Sequence, residues 1–261
     1  MSLRMENKET VEEFCDNCGN DVCCCIIRNL TDLEYAAEKW VFESNGHKWS
    51  NNDNTAGDNI IVDHRWNLSL SWLDTLPEGI IFENRGDVNL YSLRILPKDI
   101  QFKNQGNLIL NSLEEITGET TFSNGGWVNL EKLTIIPNGV TFSNGGYLSL
   151  PSVVKLSPET VFANSVWVDL KSLETLPEGI KFSKCKGSLM LKSVKNFPPG
   201  MTFSNRGSVS LDSMEVLPEY TTFSNGGGDV DLKSLKKFSK GLKFNNKGRI
   251  RVPSMGKKVN F

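Results

Sequence analysis

Histidine is nearly missing: 2 residues in a chain of 261. That excludes chemistry needing several imidazoles, three-His metal centres among it. No apolar run approaches the roughly 18 residues of a membrane-spanning helix. A phosphate-cradling Gly-x-x-x-x-Gly-Lys is absent; the pairs Gly125-Gly126 and Gly145-Gly146 are turns of a repeat. Positive charge is not in excess, since 29 Lys and Arg against 31 Asp and Glu leave a net charge of −2, which excludes a uniformly basic nucleic-acid binder. Neither His47 nor His64 stands in a triad-like context with a Ser or Cys nucleophile, and no acidic pair recurs. The expectation is a chain that is not an enzyme. The N-terminal residues are acidic and polar (Glu6, Glu9, Glu12, Glu13), with no apolar stretch of a secretory signal behind them. The expected compartment is therefore the cytoplasm, where disulfides rarely persist.

What is plentiful is Phe, 14 against 4 Tyr and 6 Trp, and it is not scattered. From Phe82 it returns every twentieth residue, at Phe102, Phe122, Phe142, Phe162 and Phe182. Then, with one-residue slips near Gly187 and Gly228, it returns at Phe203, Phe223 and Phe244. Asn follows two places on, from Asn84 to Asn246, with Lys184 the exception. A Gly column and an aliphatic pair come next, such as Val88 with Leu90 and Val128 with Leu130. Val62, Leu68, Leu70 and Leu73 hold the same phases one period earlier, and Phe42 lies two periods before Phe82.

Ile80-x-Phe82 and Val88-x-Leu90 alternate apolar and polar residues, the mark of two short strands, with Asn-x-Gly as the turn between them. Twenty residues cannot bury an apolar face alone, so neighbouring units must stack, Phe on Phe and Leu on Leu. Ten such units at roughly 4.8 Å per coil make a rod or arc of about 45–50 Å. The Asn column reads as a hydrogen-bonded ladder satisfying backbone groups at the corner. The fold class expected is mainly β: a single-domain β-solenoid of stacked coils of about 20 residues over residues 56–257, before a short tail at 258–261. Residues 1–55 form a Cys-rich segment and a short N-terminal helical cap. The helix is read over residues 29–40, where Leu33, Ala36, Ala37 and Trp40 share a face.

Leu76-Pro77-Glu78-Gly79-Ile80, repeated as Leu176-Pro177-Glu178-Gly179-Ile180, and the paired aliphatics resemble the short leucine-rich-repeat-like solenoids of bacteria and phages. The likeness covers about 200 residues and implies parallel sheets and a binding role, not a chemistry. Phe in the core column departs from the standard leucine-rich repeat, which leaves a horseshoe and a closed coil both open. The stretch Asp32–Asn59, with Ala36-Ala37-Glu38-Lys39-Trp40 in it, is similar to a short segment recurring in phage proteins of gut bacteria.

Three features could meet a partner. Just before each aliphatic pair stand Asp87, Asn107, Trp127, Tyr147, Trp167, Ser188, Ser208, Asp229 and Arg249. Consecutive coils thus carry a Trp127, Tyr147, Trp167 column flanked by Asn129, Ser149 and Asp169. This is either a set of interface anchors or a cross-strand ladder that stiffens the sheet. Residues 232–261 carry 10 Lys and Arg and no acid, including Lys236, Lys237, Lys240, Lys243, Lys247, Arg249 and Arg251. Residues 1–75 carry 14 acidic and 6 basic side chains. Poles this far apart cannot screen each other over a Debye length of about 8 Å, so the basic end is either a solvated cap or a docking surface for nucleic acid or an acidic protein. Cys15-Asp16-Asn17-Cys18-Gly19, with Cys23 and Cys25 nearby, has the shape of a zinc knuckle. Zinc, packed free thiols and redox chemistry all remain open there.

The function expected is that of a non-enzymatic protein-interaction solenoid, phage- or mobile-element-encoded, binding a host or phage macromolecule. A surface, adhesin-like or carbohydrate-binding solenoid is one alternative. A nucleic-acid-contacting protein working through its basic C-terminal end is the other.

Overall fold

A computed structural model describes residues 48–50, 60–63, 67–71, 73–76, 78–182 and 184–253. They contain no helix and form a parallel β-solenoid of stacked coils of about 20 residues. Each coil has three sides. The first carries the Phe strands: Ile60–Asp63, Ile80–Phe82, Ile100–Phe102, Thr120–Phe122, Val140–Phe142 and Val161–Phe162, then Thr202–Phe203, Thr222–Phe223 and Lys243–Phe244. The second carries ten strands, from Leu68–Ser69 through Trp167–Asp169 to Ile250–Arg251, in one unbroken sheet that rises about 43 Å. The third, which the sequence reading did not separate, pairs Ile95–Leu96 with Glu115–Ile116 and Ile135–Ile136 with Lys155–Leu156. Later coils are joined on this side by single bridges, Thr175 to Asn196 and Val216 to Lys237.

The inward residues of all three sides meet in one core: Phe82, Val88, Leu90, Leu93 and Leu96 in one coil, and their counterparts in every other. That makes the coil closed rather than a horseshoe. The Phe rings stack with centroids 4.8–6.2 Å apart and planes 7–26° from parallel from Phe82 to Phe244. At the second corner the N–H of Leu93 donates to the Leu90 carbonyl, 3.1 Å, a turn repeated down the stack.

The Asn corner forms as its composition demands. The Nδ2 of Asn84 donates to the carbonyls of Gly86 and Asp87, 2.9 and 3.2 Å, so a buried amide closes the turn that Asn-x-Gly begins. Asn124, Asn205, Asn225 and Asn246 reach across to the preceding coil as well. Asn164 donates to the Oδ1 of Asn144. Gly recurs beside them, Val166 excepted, because coils touch backbone to backbone here. A Cβ at Gly146 would lie 2.7 Å from the Gly126 carbonyl carbon and from the Trp127 nitrogen.

Two expectations need correcting. Lys184 does not occupy the Asn column. The corner after Phe182 has an extra residue, and buried Cys185 takes the slot, its Sγ 3.8 Å from the Gly187 carbonyl. The N–H of Lys186 then donates to Asn164, as that of Gln105 does to Asn84. The place beside Ile60–Asp63, where the phase of Phe42 suggested a partial, degenerate unit, is taken by Lys48–Ser50, running antiparallel. Phe42 itself and the helix expected over residues 29–40 lie outside the described residues.

Candidate interaction surface

The second side presents alternate residues outward. Val128, Leu148 and Val168 are in register and buried, so Trp127, Tyr147 and Trp167 project from successive rungs on the solvent side. Tyr147 is 47% exposed and the two Trp are half-buried. Trp167 packs edge-on against Tyr147, centroids 5.3 Å apart at 84°. Two residues further along each strand, on the same face, stand Asn129, Ser149 and Asp169, also half-buried. Asn129 donates to the Glu131 carboxylate, 2.9 Å, and Asp169 accepts the N–H of Lys171, 3.0 Å. The structure therefore brings all six of these residues onto one face.

The neighbours of this column show what the aromatics replace. The N–H of Asp87 donates to the Asn67 Oδ1, that of Asn107 to the Asp87 Oδ1 and that of Trp127 to the Asn107 Oδ1, at 2.7–3.0 Å. Past the aromatics the pattern returns: Ser208 to Ser188, Asp229 to Ser208 and Arg249 to Asp229. A short polar side chain at this position ties its coil to the next. Among the described residues no such bond reaches the N–H of Tyr147 or Trp167, because the preceding ring offers no acceptor there. Three coils exchange a polar ladder for aromatic surface.

The basic end is less free than its composition suggested. Lys236 pairs with Glu215 at 2.7 Å and Lys240 with Glu219 at 3.2 Å, its ammonium also lying 5.7 Å from the Tyr220 ring centre. Arg251 bridges Asp229 and Asp231 at 2.6 and 2.9 Å, and these carboxylates hold its guanidinium above its ordinary pKa. Lys233 pairs with Asp212 in the same way. Lys237, Lys243, Lys247 and Arg249 have no ion pair among the described residues. The acids come from the preceding coil, and the missed signal was a separation of about one period, as from Glu215 to Lys236. A continuous basic patch is thus broken up by the neighbouring coil.

Cys15, Cys18, Cys23 and Cys25 lie outside the described residues, as do His47 and His64. Among the described residues no three His, Cys, Asp or Glu stand close enough to hold a metal ion. Cys185 is buried, and desolvation pushes its thiol pKa up. An open groove of about 830 Å³ runs along the third side, between Phe197, Pro199, Glu215, Leu217 and Glu219, away from the aromatic column. No described helix is long and apolar enough to cross a membrane.

The chain was compared with family models, curated proteins and solved structures. None of them matches it.

Proposed function

We propose that this chain is a non-enzymatic interaction solenoid that binds a protein partner through the outer face of its second sheet. Trp127, Tyr147 and Trp167 are the anchors, with Asn129 and Asp169 as polar contacts. The observation that carries this reading is that the cross-coil polar ladder lapses at Tyr147 and Trp167, where three consecutive coils carry partly exposed aromatic side chains in place of short polar ones. Large rigid aromatics on a sheet are efficient interface anchors because they cost little entropy to immobilise. The sheet behind them is continuous over ten strands, which holds the column at fixed spacing. A phage- or mobile-element origin and kinship with leucine-rich-repeat-like solenoids belong to the same proposal and rest on the sequence resemblance; a cytoplasmic setting belongs to it too and rests on the polar, acidic N-terminal residues.

The test is affinity capture from host-cell lysate by the whole protein and by the Trp127→Ala/Trp167→Ala variant, with folding checked by circular dichroism. Loss of the same protein band in the folded variant is the expected result. Undiminished capture by the variant overturns the role of the column. Retention on glycan arrays, lost in the variant, transfers the face to carbohydrate binding. Salt-sensitive retention on RNA that needs Lys243, Lys247 and Arg249 favours the nucleic-acid reading instead.

A further inference from the structure

Four Asn-Gly sequences fall among the described residues: Asn124-Gly125, Asn138-Gly139, Asn144-Gly145 and Asn225-Gly226. Asn124, Asn144 and Asn225 are the buried rungs of the corner ladder, each at most 1% exposed. Their amides are held by two or three carbonyls, as Asn144 is by those of Gly146 and Tyr147 at 3.2 and 3.0 Å. The following N–H is engaged at two of them: Gly125 donates to Asn104 at 2.8 Å and Gly145 to Asn124 at 2.9 Å. Gly226, at φ +64°, donates to no group among the described residues, so at Asn225 the barrier is burial and the bonds of the amide.

Asn138-Gly139 has a different setting. It occupies the opposite corner, after Pro137, and both residues are exposed. Gly139 sits in the left-handed region, φ +79°, and its N–H donates to no group among the described residues. The Ser157 hydroxyl, from the next coil, donates to the Asn138 Oδ1 and itself accepts the N–H of Glu159 at 3.2 Å. A hydroxyl fixed on that oxygen polarises the amide carbon and stabilises negative charge developing on the oxygen during attack.

We propose that Asn138 is a self-modification site, where spontaneous deamidation through Gly139 is open in the folded protein and closed at the three buried Asn-Gly pairs. The Gly139 nitrogen attacks the Asn138 Cγ and gives its proton to water. The Nδ2 takes a proton back from water, the Cγ–Nδ2 bond breaks and ammonia leaves, forming a succinimide. Water then opens the ring at either carbonyl, leaving aspartate or isoaspartate at position 138. No oxidant or cofactor enters. The isoaspartate form adds a methylene to the backbone immediately before Gly139, whose carbonyl accepts the Thr120 N–H at 3.3 Å. The modification therefore strikes a rung between coils and adds a negative charge near Glu119 and Glu159.

The test is incubation of the whole folded protein at mildly alkaline pH, followed by peptide mapping by mass spectrometry and enzymatic labelling of isoaspartate at each Asn-Gly. Conversion at Asn138 is expected on the order of tenfold or more faster than at Asn124, Asn144 or Asn225, whose reaction needs local opening first. In denaturant the four rates should converge. Comparable rates at all four sites in the folded protein overturn the proposal, and so does an intact Asn138 under conditions that convert the denatured chain. The Ser157→Ala variant should convert about two- to tenfold more slowly, the rate equivalent of one neutral hydrogen bond. A faster Ser157→Ala variant shows that the hydroxyl restrains the amide and overturns its assistance.

Discussion

The coils before and after the Phe182 corner are built from the same repeat and behave differently. Before it, the period is 20 residues and six strands of the Phe side, with the antiparallel Lys48–Ser50, form a seven-stranded sheet ending at Val161–Phe162. After it, spacings of 21 appear and the Phe strands resume as a separate sheet of three. Between the two, strand pairing on this side falls to a single bridge from Val161 to Lys181. The second sheet runs through the same corner unbroken, Trp167–Asp169 pairing directly with Ser188–Met190. An extra residue at a corner bulges outward and spares the strand after it, provided some side chain fills the ladder slot. Cys185 fills it, and the cost appears only in the strand leading into the corner. The aromatic column lies before the break, on the last regular coils, while the cross-coil ion pairs of the cationic end lie after it.

The comparison can be broken most forcefully in the Phe stack. Phe142→Ala should destabilise by about 3–5 kcal/mol in denaturant unfolding, since it empties a fully buried site between two close rings. Phe182→Ala should cost about 1 kcal/mol less, because its ring is tilted 26° from Phe162 and lies 6.2 Å from Phe203. Equal losses would mean that the stack is not weakened at the corner. In the Asn column, Asn144→Ala should cost about 2–3 kcal/mol by stranding the Gly146 and Tyr147 carbonyls. Cys185→Ala should cost about 1 kcal/mol, its Sγ contact being long and weak.

Repairing the corner is the constructive version. Deleting Lys184 together with Cys185→Asn recreates the Phe-Ser-Asn step seen at Phe142, and should raise stability by about 1–2 kcal/mol, the worth of one or two restored hydrogen bonds. A fall in the melting temperature would show that the rest of the molecule has adapted to the break.

A smaller effect is pH-dependent. Burial holds the Cys185 thiol above its ordinary pKa in the folded chain, so unfolding releases the proton more readily. Its contribution to stability should be complete below the ordinary thiol pKa and disappear as pH rises through the raised folded value. Thiol labelling of folded protein at neutral pH should accordingly spare Cys185 and modify it in denaturant. The smallest expected change is in the ion pairs: Lys236→Ala or Lys240→Ala should leave the melting temperature within error, because exposed pairs stabilise little.

Much of the fold was legible because a core column must repeat in kind. Phe82 to Phe244, Val88 with Leu90, and the Asn-x-Gly corner announced two sides of each coil. The third side was hidden because its outward positions (Ile95, Glu115, Ile135, Lys155) share no pattern, leaving only the inward Leu96 series as a clue. The aromatic column was legible by counting from the aliphatic pair. Its exchange for a polar ladder was not, since those bonds join a side chain to the backbone of another coil. The pairing of Lys236, Lys240 and Arg251 escaped notice because a run of like charge says nothing about the residues stacked one period away.

By itself the sequence determined the period, the identity of the core columns and the number of stacked units, because apolar spacing and turn chemistry act locally and repeat. Closure into a three-sided coil, the seat of Cys185 in the Asn ladder, the antiparallel strand at the start and the neutralised cations were decided only in the tertiary structure. Each of these depends on what lies across a coil boundary, at a distance of about 4.8 Å in space but a full period in the chain.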